Sequence, residues 1–214
     1  MKKLAIIGSG GFGREVAWLV ERINQFKPTW ELIGFIDDYI TSNDVIVNGY
    51  PVLGGCDWLK DQQDEIYAVC AIGSSKNRKS VVNKLEGVRF ASLIDPSVIM
   101  SNRAVIGEGS IICAGSILTV DVNIGKHVII NLDCTIGHDA ILMDFVTLYP
   151  SVNVSGNTVL DECVEMGTGS QIIQKLKVGE GTIVGAGTVV VKDLPNGCTA
   201  VGSPAKVIKF HDNL

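Results

Sequence analysis

Residues 124–142 read IGKHVIINLDCTIGHDAIL, a six-residue phrase repeated three times and begun a fourth. Ile124, Ile130, Ile136 and Leu142 mark its beat, and Val128, Cys134 and Ala140 follow four places after the first three. Working outward, the beat holds from Ile94 to Val190, with an aliphatic side chain at all seventeen positions. A period of six fits neither the 3.6 of a helix nor the alternation of a half-buried strand. It is the signature of a β-solenoid in which each hexad supplies one short strand and one corner. The positions four places on are small or branched apart from Leu176 and Leu194, and none is charged, as a narrow interior requires. Glycine follows the aliphatic residue at Gly107, Gly125, Gly137, Gly167, Gly179 and Gly185, where a tight corner is expected to favour it. With three strands per coil, residue i lies beside i−18 and i+18, so the hexads give between five and six coils. A stack of this kind cannot bury its own ends. The amino-terminal part is therefore expected to cap one end, and the tail around Gly202–Lys206 to pack outside the other.

The first ninety residues follow another pattern. Lys3 to Ile7 reads as a buried strand, Gly8-Ser9-Gly10-Gly11-Phe12-Gly13 comes next, and Arg14 to Phe26 has helical spacing. A strand over Glu31 to Ile36 ends in Asp37-Asp38. Beyond it lie a hairpin-like Val47-Asn48-Gly49-Tyr50-Pro51-Val52, a helix near Asp57 to Gln62, a strand at Ile66 to Ile72, a helix from Lys76 to Leu85 and a strand near Phe90. Alternating strand and helix predict a small parallel sheet flanked by helices, of about four strands. Gly8, Gly10 and Gly13 match G-x-G-x-x-G between a strand and a helix, where helix N–H groups can hold a pyrophosphate. The sheet is about half of a dinucleotide domain. That suits a mononucleotide, such as the nucleoside diphosphate handle of an activated sugar, better than NAD. The alternative is that these glycines serve only a tight turn and close helix packing. The expected division is an α/β, Rossmann-like half-domain at 1–93, a parallel β-helix at 94–195 and a tail at 196–214.

Composition narrows the partners. A net charge of −5 with 6% aromatic residues gives no basic stripe for nucleic acid. The one short cluster, Lys76, Arg78 and Lys79, is long enough only to contact a single phosphate. Six scattered cysteines form no C-x-x-C pair or metal-ligand spacing, so no metal is expected. The opening MKKLAII loses its apolar run too soon for a signal peptide, and no membrane span is expected. Reduced thiols in the cytoplasm are the simplest reading.

There are three histidines. His211 lies near the carboxyl end, where disorder is the default. His127 and His138 are eleven residues apart, out of phase with the coil, so a three-histidine zinc site is not expected. His138 stands outside the buried positions of its hexad and beside Asp139. An imidazole with a carboxylate fixing one nitrogen leaves the other free to take a proton near neutral pH. One coil on is Gly156, which has no side chain to block a ligand and whose N–H could polarise a carbonyl oxygen. An exposed corner histidine with no chemistry is the alternative.

The G-S-G-G-F-G-R-E opening, the Asp37-Asp38 pair, the unbroken hexads, the N-x6-H-D segment from Asn131 and the G-S-P-A-K tail together resemble the left-handed β-helix sugar acetyltransferases of bacteria. The branch they are most similar to is the sialic-acid O-acetyltransferase and UDP-4-amino-sugar N-acetyltransferase group. The resemblance implies a left-handed coil and a homotrimer with acetyl-CoA in a groove between solenoids. It also implies a nucleotide-linked (UDP- or dTDP-) 4-amino-deoxy sugar resting on the small sheet. His138 would be the general base, Asp139 would raise its basicity, and the Gly156 amide would stabilise the oxyanion. Gly10, Gly11, Phe12, Asp37, Asp38 and Gly73 align with nucleotide-sugar contacts, and Asn131 with a residue near the acceptor group. Thr168 and Ala186 align with contacts to the pantetheine arm, and Lys206 with the CoA nucleotide end. Two departures, Thr147 and Phe12 where histidine is frequent, fall near the expected ligand surfaces. O-acetylation of a sugar or sialic acid is the rival within the enzyme class. Outside that class the rivals are an NAD-dependent oxidoreductase and a non-catalytic glycan-binding solenoid.

Overall fold

A computed structural model describes residues 1–40, 44–62 and 65–211. The amino-terminal unit runs Lys2–Ile7 (β1), Gly11–Phe26 (α1), Trp30–Ile36 (β2), Ile46–Val47 (β3), Tyr50–Gly54 (β4), Cys56–Lys60 (α2), Tyr67–Cys70 (β5), Ser75–Val82 (α3) and Arg89–Phe90 (β6). The sheet order is β3-β4-β2-β1-β5-β6, parallel except for the β3–β4 hairpin. It has six strands where about four were expected, because the hairpin strands β3 and β4 join the same sheet through β4 beside β2. The hairpin turns on Asn48 and Gly49, both at positive φ (51° and 83°), the conformation a two-residue turn demands. Leu4 and Ile6 face α1, and Ala5 and Ile7 face the helices on the other side, so β1 is covered on both faces. That is why it reads as a continuous apolar run.

The hexads fold as expected into two-residue strands, β7 (Leu93–Ile94) to β23 (Val189–Val190), six residues apart. They stack into three parallel sheets, here the first, second and third faces of a triangular prism, carrying Ile129–Ile130, Thr135–Ile136 and Ile141–Leu142 respectively. The register is eighteen residues, as in Ile111 opposite Ile129 and Ile117 opposite Thr135. Both repeating positions point inward and fill one core from Ile112 to Ala200. Each fully buried Ile, Leu or Val there contributes about 1.5–3 kcal/mol.

The glycines act differently from the expectation. From Gly109 to Gly187 every sixth residue, fourteen in succession, holds a left-handed φ between 54° and 79°, and nine of these are not glycine. The glycines after the aliphatic beat are not among them. A Cβ on any of those six would come within 2.2–2.8 Å of the chain one coil on. They are glycine because successive coils touch at that point, not because the corner needs a left-handed residue.

The amino-terminal unit does not sit on the end of the prism. It lies against the first face, where Ile111 and Ile129 join the same core as Leu4, Val16 and Val20. Three polar clasps complete the junction. Arg22 donates to both oxygens of buried Asp95, at 2.6 and 2.9 Å. Ser75 N and Oγ donate to Glu165 Oε1 at 2.8 and 2.9 Å. Arg78, fully buried, donates to the carbonyls of Ile72, Gly73, His127 and Phe145 and to Thr147 Oγ1, all at 2.6–3.0 Å. Two residues of the short basic cluster are taken up by the protein itself: Arg78 by the junction and Lys79 by Glu162 at 2.7 Å. Thr147 is likewise buried there, not on a ligand surface.

The tail packs outside the last coil, as expected, with Ala205 and Val207 against the solenoid core. Cys198–Val201 (β24) pairs parallel with Ile183–Val184 on the first face, and Lys206–Phe210 (β25) adds antiparallel to β24. His211 is ordered, with Nε2 2.9 Å from Thr199 Oγ1 and its N–H on the Gly197 carbonyl. The last three residues of the tail lie outside the described residues. All six cysteines are unpaired and buried. Among the described residues no helix is long and apolar enough to cross a membrane.

The junction makes stability depend on pH. His127, buried, stacks on Phe145 (centroids 5.2 Å, 8° between planes) and meets the edge of Phe90. Burial, then the nearby Arg78 charge, pushes its pKa down from 6.5 to about 4. Above pH ~6.5 the ring is neutral in both states. As pH falls, the unfolded chain takes a proton that the fold refuses, so stability drops by about 3 kcal/mol between pH ~6.5 and 4. Urea unfolding across that window is expected to show the slope, and His127→Phe to flatten it. Phe145 already occupies the equivalent left-handed position one coil on, so the replacement is conformationally tolerable. Equal slopes in both proteins would contradict this account.

Candidate active site

Two sets of candidate residues stand apart, one around a cavity of the amino-terminal unit and the neighbouring edge of the prism, the other on a different edge. The first surrounds a cavity of about 540 Å³ at the carboxyl ends of β1, β2 and β5, lined by Gly8–Phe12, Ile36–Tyr39, Cys56, Ala71, Ile72 and one side of α3. The glycines of its loop divide by role. Gly8 is left-handed (φ 96°), and a Cβ on Gly13 would lie 2.0 Å from the Gly8 carbonyl oxygen, so these two serve the turn and the packing of α1. Gly10 has nothing within 4 Å of a would-be Cβ, and Gly11 has only an Arg14 side-chain nitrogen at 4.0 Å. They open onto the cavity. The first turn of α1 has no acidic residue and no side-chain cap, which leaves N–H groups facing that space.

Asp37 and Asp38 both line the cavity, yet their carboxylates are engaged by the protein. Asp37 accepts from Ser9 N, Ser9 Oγ and Tyr39 N. Burial pushes its carboxyl up, but these bonds outweigh burial and hold it below the ordinary value. Asp38 Oδ1 accepts from Cys56 N at 2.6 Å. Phe12 lines the cavity, whereas Gly73 adjoins it through Ile72 and gives its carbonyl to Arg78 and Thr147.

Gly73 also lies beside Tyr149, at the edge between the first and second faces. Asn131 is on that edge, largely buried, with Oδ1 accepting from Leu132 N. Thr168 and Ala186, eighteen residues apart, stack there on adjacent coils, the Thr168 carbonyl accepting from Gly187 N. Lys206 starts β25, opposite Val201.

The second set occupies the edge between the second and third faces. His138 projects outward with Nδ1 2.8 Å from Asp139 Oδ2; the pair is more than half exposed. Asn157 Nδ2 lies 3.4 Å from the same nitrogen. The shorter contact sets the tautomer: Nδ1–H donates to Asp139 and Nε2 is left as an acceptor. Asp139 holds a left-handed φ of 58°, which turns its carboxylate back to the ring. Gly156 lies directly beneath. A Cβ there would come 2.6 Å from His138 Nε2, so only glycine keeps that nitrogen open. The Gly156 N–H has no acceptor among the described residues. A free imidazole nitrogen beside a free amide donor can remove a proton and stabilise the anion that forms. Among the described residues no group of three or more His, Cys, Asp or Glu is placed to hold a metal ion.

Sequence reasoning passed over Arg78, Ser75 and Glu165 as junction residues, and Asn77, Ser80 and Lys84 as cavity residues. Only the 77, 80, 84 spacing along α3, one side of a helix, offered a signal.

The scaffold, a hexad-repeat β-helix joined to a small parallel sheet, is that of an acyltransferase. Residues 3–85 match the PglD N-terminal domain family. The chain is 30% identical over 217 residues to the GDP-perosamine N-acetyltransferase of Escherichia coli O157:H7, spanning 98% of this chain and 97% of that one. The acetyltransferase domain of PglB from Neisseria gonorrhoeae is 34% identical with a TM-score of 0.89, covering 97% of this chain and all of that domain. PerB of Caulobacter crescentus, solved with CoA and GDP-perosamine, is 30% identical with a TM-score of 0.86 and 98% coverage of both. The chain belongs to the hexapeptide-repeat sugar acetyltransferases, whose solenoid is a left-handed β-helix. It is an acyltransferase that moves acetyl from acetyl-CoA, its co-substrate, to a sugar amine or hydroxyl.

Proposed function

We propose that the acceptor is the 4-amino group of a nucleotide-linked deoxy-amino sugar and that His138 is the general base. The observation that carries this reading is the open Nε2 of His138 above the free Gly156 N–H. In the reaction, the sugar nitrogen attacks the thioester carbonyl carbon and His138 Nε2 takes the proton leaving that nitrogen. The Gly156 N–H stabilises the carbonyl oxygen as it becomes an oxyanion, and Asp139 steadies the imidazolium. As the C–S bond breaks, the same proton passes from Nε2 to the departing thiolate, and the amide product remains.

We further assign the nucleotide to the cavity at Gly10, Gly11, Phe12, Asp37 and Asp38, bordered by Gly73. Asn131 is assigned to the acceptor, and Thr168, Ala186 and Lys206 to the CoA arm. The cavity belongs to the amino-terminal unit, Asn131, Thr168 and Ala186 stand on the edge between the first and second faces, and His138 stands on another edge, so in this reading a second copy brings them together. A homotrimer accomplishes this. It would also cover the exposed Ile99 and Ile117 of the second face and Val105 and Ile141 of the third. The functional units are 1–93 for the nucleotide-sugar and 94–195 for transfer, followed by the tail from 196.

Two full-length relatives, the E. coli and C. crescentus proteins, carry GDP-perosamine in their names or complexes, so a GDP-linked sugar belongs beside the UDP- and dTDP-linked ones. The test is mass spectrometry of products from GDP-, UDP- and dTDP-linked 4-amino sugars and their 4-hydroxy counterparts with acetyl-CoA. N-acetylation of at least one amino sugar is expected. Turnover of hydroxyl acceptors alone would overturn the amine assignment.

A further inference from the structure

The anionic part of the proposed acceptor needs cations; one lies in the cavity's lining, and the Arg14 guanidinium stands at the rim, 4.0 Å from where a Cβ on Gly11 would be. Its carboxylates, Asp37 and Asp38, already accept N–H and O–H groups of Ser9, Tyr39 and Cys56, so they tie loops together. Among the lining residues Lys84 is the single lysine or arginine. Other lysines nearby are neutralised: Lys79 by Glu162 at 2.7 Å and Lys60 by Asp57 at 3.0 Å. Lys84 has no ion pair with any described residue. It follows the last turn of α3, with its N–H 3.1 Å from the Val81 carbonyl, which keeps the turn going. Asn77, Ser80 and Val81 precede it at spacings of seven, four and three, so all four stand on one side of the helix, and all four line the cavity. The same helix turns Arg78 the other way, into the junction. An amide, a hydroxyl and an ammonium on one helix side are donors suited to phosphate oxygens.

We infer that Lys84, supported by Asn77 and Ser80, binds the diphosphate of the nucleotide-sugar and makes the cavity selective for diphosphates over monophosphates. This rests on the nucleotide-sugar reading of the cavity given above. Lys84 acts here in binding, with no part in the proton transfer.

The test is calorimetric titration of the full chain with GDP, GMP and guanosine, and with UDP, UMP and uridine, for wild type, Lys84→Met and Lys84→Arg. Wild type is expected to bind at least one diphosphate more tightly than its monophosphate and nucleoside. Lys84→Met should weaken that diphosphate about tenfold and leave the nucleoside unchanged, and Lys84→Arg should retain most of the affinity. Lys84 is exposed, so thermal unfolding of Lys84→Met should match wild type. If wild type discriminates and Lys84→Met discriminates equally, the Lys84 inference fails while the nucleotide cavity stands. If wild type binds none of the six compounds, the nucleotide reading of the cavity fails, and the role of Lys84 with it.

Discussion

Replacing His138 with alanine is expected to lower kcat for acetyl transfer by about 10²–10⁴-fold, the usual worth of a positioned general base. The fold should not notice. His138 projects from an edge of the prism, its ring touches only Asp139 and Asn157 by hydrogen bonding, and no core residue rests on it. Circular dichroism and the unfolding midpoint should therefore match wild type, and the proposed homotrimer should persist. The companion variants separate the roles. Asp139→Asn keeps a residue that tolerates the left-handed φ of 58° but removes the charge facing Nδ1, so a smaller loss is expected, on the order of tenfold. Gly156→Ala leaves both of those groups in place and puts a methyl 2.6 Å from Nε2, so it should approach the alanine variant in effect. Thiol release from acetyl-CoA in the presence of an amino-sugar nucleotide measures all three. A His138→Ala enzyme within threefold of wild type would end the assignment of this residue as the base.

The largest expected loss of stability comes from Arg78. Its guanidinium carries its charge into a buried site without a paired carboxylate, and six carbonyl or hydroxyl oxygens lie within hydrogen-bond reach. Burial pushes its pKa down to about 10, so it remains charged at neutral pH. Arg78→Met removes the donors and leaves the carbonyls of Ile72, Gly73, His127 and Phe145 facing an apolar side chain. Orphaning such groups costs on the order of 3–5 kcal/mol in total. Arg78→Lys keeps the charge but offers three donors from one point, so it should recover only part of the loss. Urea unfolding of the full chain reads both. A loss below about 1 kcal/mol for the methionine variant would show that these bonds contribute little net stability.

The core of the solenoid was legible because its information is local: each hexad repeats the same aliphatic and small positions, so Ile112 and Val128 announce their burial without reference to any distant residue. The glycine loop, the Asn48-Gly49 turn and the His138-Asp139 dipeptide were legible for the same reason. The reason for the glycine at 107 or 137 was not, because it depends on contact with residues about eighteen positions on. The docking of the amino-terminal unit was hidden more completely. Arg78 meets Phe145 and Thr147 across 67 and 69 residues, and Ser75 meets Glu165 across 90. Nothing in a basic triplet tells a buried guanidinium from a surface one. The order of the chain around His211 was not legible, because β25 is completed by its pairing partner and has little pattern of its own.

By itself, then, the sequence determined the period, the two kinds of unit and the pairing of an imidazole with a carboxylate, since each is encoded within a few neighbouring residues. Only the tertiary structure decided that the small sheet rests on the first face, that Lys84 lines the cavity while Arg78 is buried, and that the cavity belongs to the amino-terminal unit while His138 projects between the second and third faces. Those outcomes depend on which distant surfaces meet, and a donor's role is set by the acceptors folding brings to it.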